Sequence, residues 1–204
     1  MNVLKRVLVA VGFLGTMAYG AASCDLSQIG DVKVNWTAYK TPLKIGVSGD
    51  FKKVDYLPVA PVGKNFREIL VGSKVTIDTA SVNSGHEARD KTLTTSFFQK
   101  MTGSEIKAEI VDIKADKKRE RGAPRLGLIT IRMEMNGVTK QVPMRYHYNK
   151  GDMKAEGTID LADFNALGAL SSINKACFDL HEGKSWSDVA ISFELQIKAI
   201  LCHK

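Results

Sequence analysis

The sequence has few residues of the types that build metal, haem or disulfide-rich sites. It contains three cysteines and four histidines among 204 residues. The histidines are scattered, without the spacing of a metal site or a haem-attachment motif. We therefore expect no metal and no cofactor. Aromatic residues are also few, at 7% of the chain.

Long apolar runs are absent from the chain except at its start. Lys5 and Arg6 precede the uncharged stretch 7–18, and small residues follow at 20–23. This order is typical of a secretory signal peptide, and the run is short for a membrane span. We expect residues 1–23 to direct export to the periplasm and to be removed. The alternative is a lipid anchor on Cys24, which Ser23 precedes as in lipoprotein signals, although Ala21 stands where these signals usually carry leucine.

Removal of the leader would leave residues 24–204, a length suited to one domain. The net charge of +7 would fall to +5 with the loss of Lys5 and Arg6. This modest excess gives no reason to expect a nucleic-acid partner. Three cysteines would remain, enough in an oxidising compartment for one disulfide and one free thiol.

The last strand pattern, at residues 189–201, is the clearest in the chain. Val189, Ile191, Phe193, Leu195 and Ile197 share one parity, and polar residues occupy much of the other. Successive side chains of a strand point to opposite faces, so one face is apolar. Thirteen residues would span about 44 Å, a length that suits the tilted strands of a closed barrel.

Alternating segments of this kind number about eight. They lie at residues 32–38, 45–51, 69–77, 106–113, 129–135, 138–148, 153–161 and 189–201. Parity blurs near Val111, which indicates a bulge, and Pro143 predicts a locally unpaired backbone position. Asn136-Gly137 predicts a tight hairpin turn. The expected fold is an all-β, eight-stranded antiparallel barrel.

Two segments have helical rather than strand spacing. In 87–101, Leu93, Phe97 and Met101 recur every four residues, and 163–182 has a similar pattern. Both segments are expected to pack over the ends of the barrel. The basic link 114–125 between two strands is interpreted as a solvated loop, with transient contact to an anionic membrane surface as the alternative.

The polar parity indicates which barrel face points outward. Charged residues alternate with the apolar set; they include Lys33, Lys107, Arg132, Glu134, Arg145 and Lys198. Eight strands enclose little more than side chains or one small ligand, and unpaired charges inside would cost several kcal/mol each by rough estimate. The apolar face is therefore predicted to line the interior. Bulky and small inward positions alternate, so periodicity alone leaves a packed core and a ligand tunnel equally open.

Several local strings resemble one known family. They are Trp36-Thr-Ala-Tyr-Lys-Thr41, the run 44–51, Ile77-Asp-Thr-Ala-Ser-Val82, Ala88-Arg-Asp-Lys-Thr-Leu93, Asn136-Gly-Val-Thr-Lys140 and Gly157-Thr-Ile-Asp-Leu161. In this order they resemble the YceI-like family of periplasmic lipid-binding proteins. The resemblance implies a lipocalin-like barrel whose tunnel holds a polyisoprenoid, an isoprenoid quinone precursor or a fatty-acid derivative. The cysteines, the link 114–125 and the segment 163–187 depart from the family pattern.

The predicted function is a non-enzymatic carrier for such a long-chain amphiphile. The predicted lipid-lining residues are Trp36, Val47, Phe51, Val75, Ile77, Ile131, Met133, Met144, Tyr146, Ile159, Phe193, Leu195 and Ile197. Arg89 is a candidate contact for the ligand head group, and the alternative is that Arg89 and Asp90 pin the start of the helical segment. Two other functions stay open: a lipid-modifying enzyme using Arg89, Asp78 and His86, and a stress-related structural protein with a filled barrel.

The cysteine pairing and the oligomeric state are less determined. In an even-stranded barrel the first and last strands are neighbours, so Cys24–Cys202 is the predicted disulfide, and Cys24–Cys177 is the alternative. Whether the protein forms a homodimer stays open.

Overall fold

A computed structural model describes residues 23–117, 120 and 122–203 of the chain. Its ten strands are β1 (Ser23–Lys40), β2 (Ile45–Phe51), β3 (Val54–Leu57), β4 (Lys74–Asp78), β5 (Val82–Asn83), β6 (Glu105–Ala115), β7 (Arg125–Met135), β8 (Val138–Asn149), β9 (Asp152–Asp160) and β10 (Ser185–His203). Four α-helices accompany them: α1 (Phe66–Leu70), α2 (Glu87–Ser96), α3 (Leu167–Ala176) and α4 (Phe178–His181). Short 3₁₀ helices occur at Thr79–Ser81, Phe98–Lys100 and Leu161–Phe164.

The strands form one antiparallel sheet that curls into a half-barrel. Their order is β3-β4-β6-β7-β8-β9-β10-β1-β2-β5. The prediction of an all-β antiparallel fold is confirmed, but that of a closed, eight-stranded barrel is wrong: the described residues form ten strands in an order that has two ends.

The two strands beyond the eight predicted are β3 and β5, which lie at the two ends of the sheet. Lys52 and Lys53 separate β2, which pairs with β1, from β3, which pairs with β4. The backbone N–H of Lys52 donates to Ser81 O at 3.0 Å, and that of Asp78 donates to Lys53 O at 3.2 Å. The segment from β2 to β3 therefore connects opposite ends of the sheet. Alternation along the sequence does not show that the pairing partner changes at Lys52 and Lys53.

The predicted third strand is partly wrong. Ile69 and Leu70 belong to α1 and are fully buried there. Asn65 caps this helix, accepting a hydrogen bond from the Glu68 backbone N–H at 3.1 Å. An Asn followed three residues later by Glu is a helix-start pattern. The strand begins only at Lys74.

Several local predictions are confirmed. The register of β6 with β7 shifts between Ile110 and Asp112, at the expected bulge. Asn136 and Gly137 have φ values of 53° and 72°, as a tight turn between β7 and β8 requires. The pairing of β8 with β9 extends from Asn149 only to Arg145, so it stops short of Pro143. The helical segment 163–182 is divided between a 3₁₀ turn, α3 and α4.

The orientation of the apolar face is also confirmed. Ile131, Met133 and Met135 on β7 are buried, whereas Arg132 and Glu134 between them are exposed. The outward charges form ion pairs across strands, such as Arg132–Glu109, separated by 2.5 Å. The core therefore lies on the concave side of the sheet, beneath α2 and α3. No helix in the described part of the chain is long and apolar enough to cross a membrane.

Candidate functional site: an apolar cavity inside the half-barrel

Side chains on the concave face of the sheet enclose a cavity of about 470 Å³. Val34, Trp36 and Ala38 line it from β1, and Ile191 and Phe193 line it from the neighbouring β10. The volume lies within the range of roughly 300–1,000 Å³ typical of small-ligand sites. The lining is overwhelmingly apolar, so a ligand that fills it must itself be largely apolar.

Part of this lining is only half-buried although it points inward. Val34, Ala38, Val47 and Phe193 are each partly exposed and each line the cavity. Close-packed protein cores leave few voids larger than a water molecule. Inward side chains that remain accessible therefore border open space, which argues against a filled barrel.

Most of the predicted lining residues border this cavity. Eleven do so: Trp36, Val47, Phe51, Val75, Ile77, Ile131, Met133, Met144, Ile159, Phe193 and Leu195. Their parity was sufficient to place them on the concave face.

Tyr146 and Ile197 also point inward but do not border the cavity. Both are buried, with Tyr146 only 3% exposed and Ile197 fully buried. The Tyr146 ring packs edge-on against Phe66 of α1, with centroids 6.4 Å apart. This helix, which the sequence analysis missed, fills that part of the interior.

The helical segments supply lining that the sequence analysis did not assign. Leu93, Phe97 and Phe98 border the cavity from the 87–101 segment, and Leu170 and Ile173 border it from α3. The four-residue spacing of Leu93 and Phe97 was the available signal, because it places both on one helical face.

The mouth of the cavity is marked by the lining residues that are exposed. These are His86, Ala88 and Arg89 at the start of α2, and Leu180 on α4. The cavity therefore opens between α2 and α4.

Arg89 lies at this mouth, but its guanidinium binds the neighbouring loop. Its Nε donates to Ser84 Oγ and a terminal nitrogen donates to Ser84 O, both at 2.7 Å. Asp90 Oδ1 accepts from the Ser84 backbone N–H at 2.8 Å. These contacts favour the pinning role for Arg89 and Asp90, and a head-group contact stays a prediction.

The other two residues considered for catalysis have capping roles. His86 Nδ1 accepts from the Arg89 backbone N–H at 3.3 Å at the start of α2. Asp78 Oδ1 accepts from the Ala80 backbone N–H at 2.9 Å at the 3₁₀ turn. Of the two, only His86 borders the cavity. The structure therefore does not bring Asp78 to the mouth.

A polar cluster lies on the α4 side of the cavity mouth. His181 Nδ1 is 2.8 Å from Ser185 Oγ, and this hydroxyl donates to Asn174 Oδ1 at 3.1 Å. Burial lowers the pKa of His181, and the charge of Lys40 lowers it further. Burial raises the pKa of the Cys177 thiol, against a smaller opposite effect of Lys40. The thiol therefore favours its neutral form, which is a poor nucleophile.

The cysteines are placed by the strand register. Cys24 on β1 lies directly opposite Cys202 on β10. Cys177 carries a free thiol, so the structure does not contain the alternative Cys24–Cys177 pairing. The first and last strands are neighbours, as predicted, and the Cys24–Cys202 bond stays a prediction.

These features define a class of protein: an all-β chain whose antiparallel sheet curls around an apolar, ligand-sized cavity, with short helices at its mouth. The YceI-like domain profile matches residues 27–198. The chain therefore belongs to the YceI-like family.

Solved structures share the fold. A polyisoprenoid binding domain from Saccharophagus degradans, described as implicated in plant cell wall breakdown, superposes with a TM-score of 0.57 at 14% identity, covering 86% of this chain and 98% of that one. Burkholderia cenocepacia BcnA gives 0.54 at 18% identity, covering 82% and 96%. The Campylobacter jejuni YCEI protein gives 0.53 at 20%, covering 78% and 85%. No curated protein matches the sequence significantly.

Proposed function

We propose that this protein binds and carries a long-chain amphiphile, such as a polyisoprenoid, an isoprenoid quinone precursor or a fatty-acid derivative, in the periplasm. The apolar chain occupies the cavity inside the half-barrel, and the polar head lies near the mouth between α2 and α4. The observation that carries this proposal is the cavity of about 470 Å³, with its apolar and partly exposed lining. Family membership and the polyisoprenoid binding domain of similar fold add support.

The binding energy would come from removing the ligand chain from water. Each methylene-sized unit contributes about 0.8 kcal/mol when buried. Four methionines on the inner face, Met133, Met135, Met144 and Met153, are flexible and polarisable, and three of them border the cavity. Such a lining adapts to chains of different shape.

We propose binding without catalysis. Arg89, Asp78 and His86 are all engaged in loop and cap hydrogen bonds. The Cys177 thiol favours its neutral form, and His181 Nδ1 is 2.8 Å from Ser185 Oγ. A lipid-modifying enzyme would release an altered product, so recovery of the added ligand with unchanged mass after prolonged incubation is the expected result.

The binding test can use the protein's own fluorescence. Both tryptophans of the chain, Trp36 and Trp186, border the cavity. Titration with geranylgeraniol or palmitate should shift their emission to shorter wavelength and saturate. Saturation with only one of the two would identify the chain class.

A blocking variant and its matched control make the test specific. Ala38 points into the cavity, whereas Thr37 lies outside, where its Oγ1 is 2.8 Å from Ser48 Oγ. Ala38→Phe should weaken binding at least tenfold, and Thr37→Phe should bind like the wild type. Equal binding by both variants, or no saturable signal from the wild type, would contradict the proposal.

A further inference from the structure

Four of the exposed large apolar side chains of the described residues lie at one end of the sheet. Leu43 is 82% exposed, Leu180 is 71%, Phe178 is 60% and Ile45 is 49%. Leu43 lies in the turn between β1 and β2, Ile45 begins β2, and the other two lie on α4. A contiguous patch of exposed apolar groups commonly marks an interaction surface.

These side chains belong to one surface because hydrogen bonds tie the turn to the segment after α4. The Thr41 backbone N–H donates to Lys184 O at 2.9 Å. Trp186 Nε1 donates to Thr41 O at 2.8 Å. The ring of Phe178 packs over Gly183, where an added Cβ would lie 3.0 Å from it. We call the set Leu43, Ile45, Phe178 and Leu180 the rim patch.

The rim patch is continuous with the cavity. Leu180 is exposed and also borders the cavity. Tyr39, Lys40 and Trp186, next to the turn, border it as well. An apolar chain leaving the cavity on this side would therefore pass directly onto the patch.

The groups around the patch suit a lipid–water interface. Lys44 Nζ lies 5.0 Å from the Trp186 ring centroid and 5.1 Å from that of Tyr39, and Lys184 Nζ lies 4.6 Å from the Trp186 ring. Tryptophan, tyrosine and lysine side chains with an apolar body and a polar end are favoured at the headgroup level.

The charges near the patch are mixed, with a small positive excess. The lysines are Lys40, Lys44, Lys175 and Lys184, and the acids are Asp179, Glu182 and Asp188. Lys44 pairs with Asp188 at 2.7 Å, which leaves three lysines and two acids. On α2, across the mouth, Arg89 and Lys91 are matched by Glu87 and Asp90, so this side adds no net charge. This balance favours an anionic bilayer over a strongly acidic protein as the partner.

We propose that the rim patch docks the mouth of the cavity onto the surface of an anionic phospholipid bilayer, so that cargo passes between bilayer and cavity without crossing water. The proposal rests on the proposed lipid-carrier function and adds where on the molecule exchange takes place.

Flotation of the purified protein with vesicles tests the docking. Wild-type protein should float with phosphatidylcholine vesicles containing 30% phosphatidylglycerol, and less with pure phosphatidylcholine. The double variant Leu43→Ser/Phe178→Ser, at two patch residues that do not line the cavity, should lose at least tenfold in partitioning to both, because docking scales with the apolar area inserted. The variant Lys175→Gln/Lys184→Gln should lose about fivefold for each lysine, and only on the anionic vesicles.

The matched control lies at the opposite end of the sheet. Leu57 and Val62 are also exposed, at 66% and 42%. They lie next to Gly63 or at the start of its loop, and Gly63 forms a β-bridge with Leu26. Leu26 is near the start of β1, whereas Lys40, beside the rim patch, is at its end. Leu57→Ser/Val62→Ser should partition like the wild type. Loss in this control, or retained partitioning in the patch variant, would overturn the proposal. A dimer that dissociates in the patch variant, with no vesicle binding by the wild type, would also overturn it.

Tryptophan titration of the same variants separates this inference from the proposed function. The patch variant should still bind geranylgeraniol or palmitate from solution with unchanged affinity, which also shows that it is folded. If ligand binding is intact and vesicle binding does not depend on the patch, the docking proposal alone fails. If neither the wild type nor the variants bind a ligand, the proposed carrier function fails, and docking as its exchange step fails with it.

Discussion

Gly127 shows how a single missing side chain shapes the interior. On β7 it lies opposite Tyr146 of β8. A Cβ at this position would lie 2.1 Å from the Lys114 carbonyl oxygen and 2.5 Å from the Tyr146 ring. The tyrosine ring therefore occupies the space that any larger residue would need.

We predict that Gly127→Ala destabilises the fold by about 2 kcal/mol or more, because backbone oxygen cannot move aside cheaply. Chemical denaturation measures the change in unfolding free energy. Gly168 in α3 is the matched control, since its position has no atom within 4 Å of an added Cβ. Gly168→Ala should be neutral or stabilising by up to about 1 kcal/mol. Equal effects at the two sites would contradict this account of Gly127.

His181 provides a prediction on pH. Its pKa is lowered first by burial and then by Lys40, relative to the ordinary value of 6.5. When the folded-state pKa of a base is lowered, the unfolded chain takes up its proton first as the pH falls. The stability contribution from neutral His181 is therefore present above pH 6.5 and declines below it.

Histidine NMR titration should give a pKa for His181 below 6.5, and Lys40→Gln should raise it. Between pH 7 and pH 5 the unfolding free energy of the wild type should fall more than that of His181→Gln. A His181 pKa above 6.5, or identical pH dependence in the two proteins, would contradict the assignment.

Residue-scale features differ in how far the sequence reveals them. The outward position of Arg132 and Glu134 followed from alternation, because charge in a narrow interior is costly. The contact between Gly127 and Tyr146 did not, since it depends on the register of two strands. Arg89 was recognised as a polar residue near the mouth, but only its hydrogen bonds to Ser84 indicate its structural role.

At the scale of elements, the long strands were predictable and the short ones were not. β2 has the bounds that alternation predicts, Ile45–Phe51. β3 has only four residues and β5 only two, too few to establish a period. Ile69 and Val71 fit the parity of a strand with Val75 and Ile77, yet Ile69 lies in a helix. The prediction failed because a short apolar run fits both the helical and the strand period.

The pairing of β1 with β10 leads to a prediction on the cysteines. Directly opposed residues of antiparallel strands have Cα atoms about 4.5–5.5 Å apart, within the range of a disulfide. We predict a Cys24–Cys202 disulfide, whose loss through Cys24→Ser costs about 4 kcal/mol because it closes nearly the whole chain.

Alkylation of the unfolded, unreduced protein followed by mass spectrometry should label one thiol, that of Cys177. Cys177→Ser should then abolish labelling without changing stability much. Labelling of all three cysteines in protein from an oxidising compartment would contradict the pairing.

At the scale of the whole molecule, inward parity did not determine whether the interior is full. Tyr146 and Phe193 point to the same side of the sheet, but Phe66 packs on the first and open space adjoins the second. The difference comes from α1, which fills one part of the interior, and from α2 and α3, which cover another part without filling it. The family resemblance predicted a cavity, and the half-buried inward residues of β1 and β10 show where it lies.

Native mass spectrometry of the protein purified from its own cells shows directly what the cavity holds. We expect a wild-type population carrying one long-chain amphiphile, whose mass is recovered by solvent extraction, and a strongly reduced population in Ala38→Phe but not in Thr37→Phe. Wild-type protein that carries no such ligand, or an adduct equally abundant in Ala38→Phe, would contradict it.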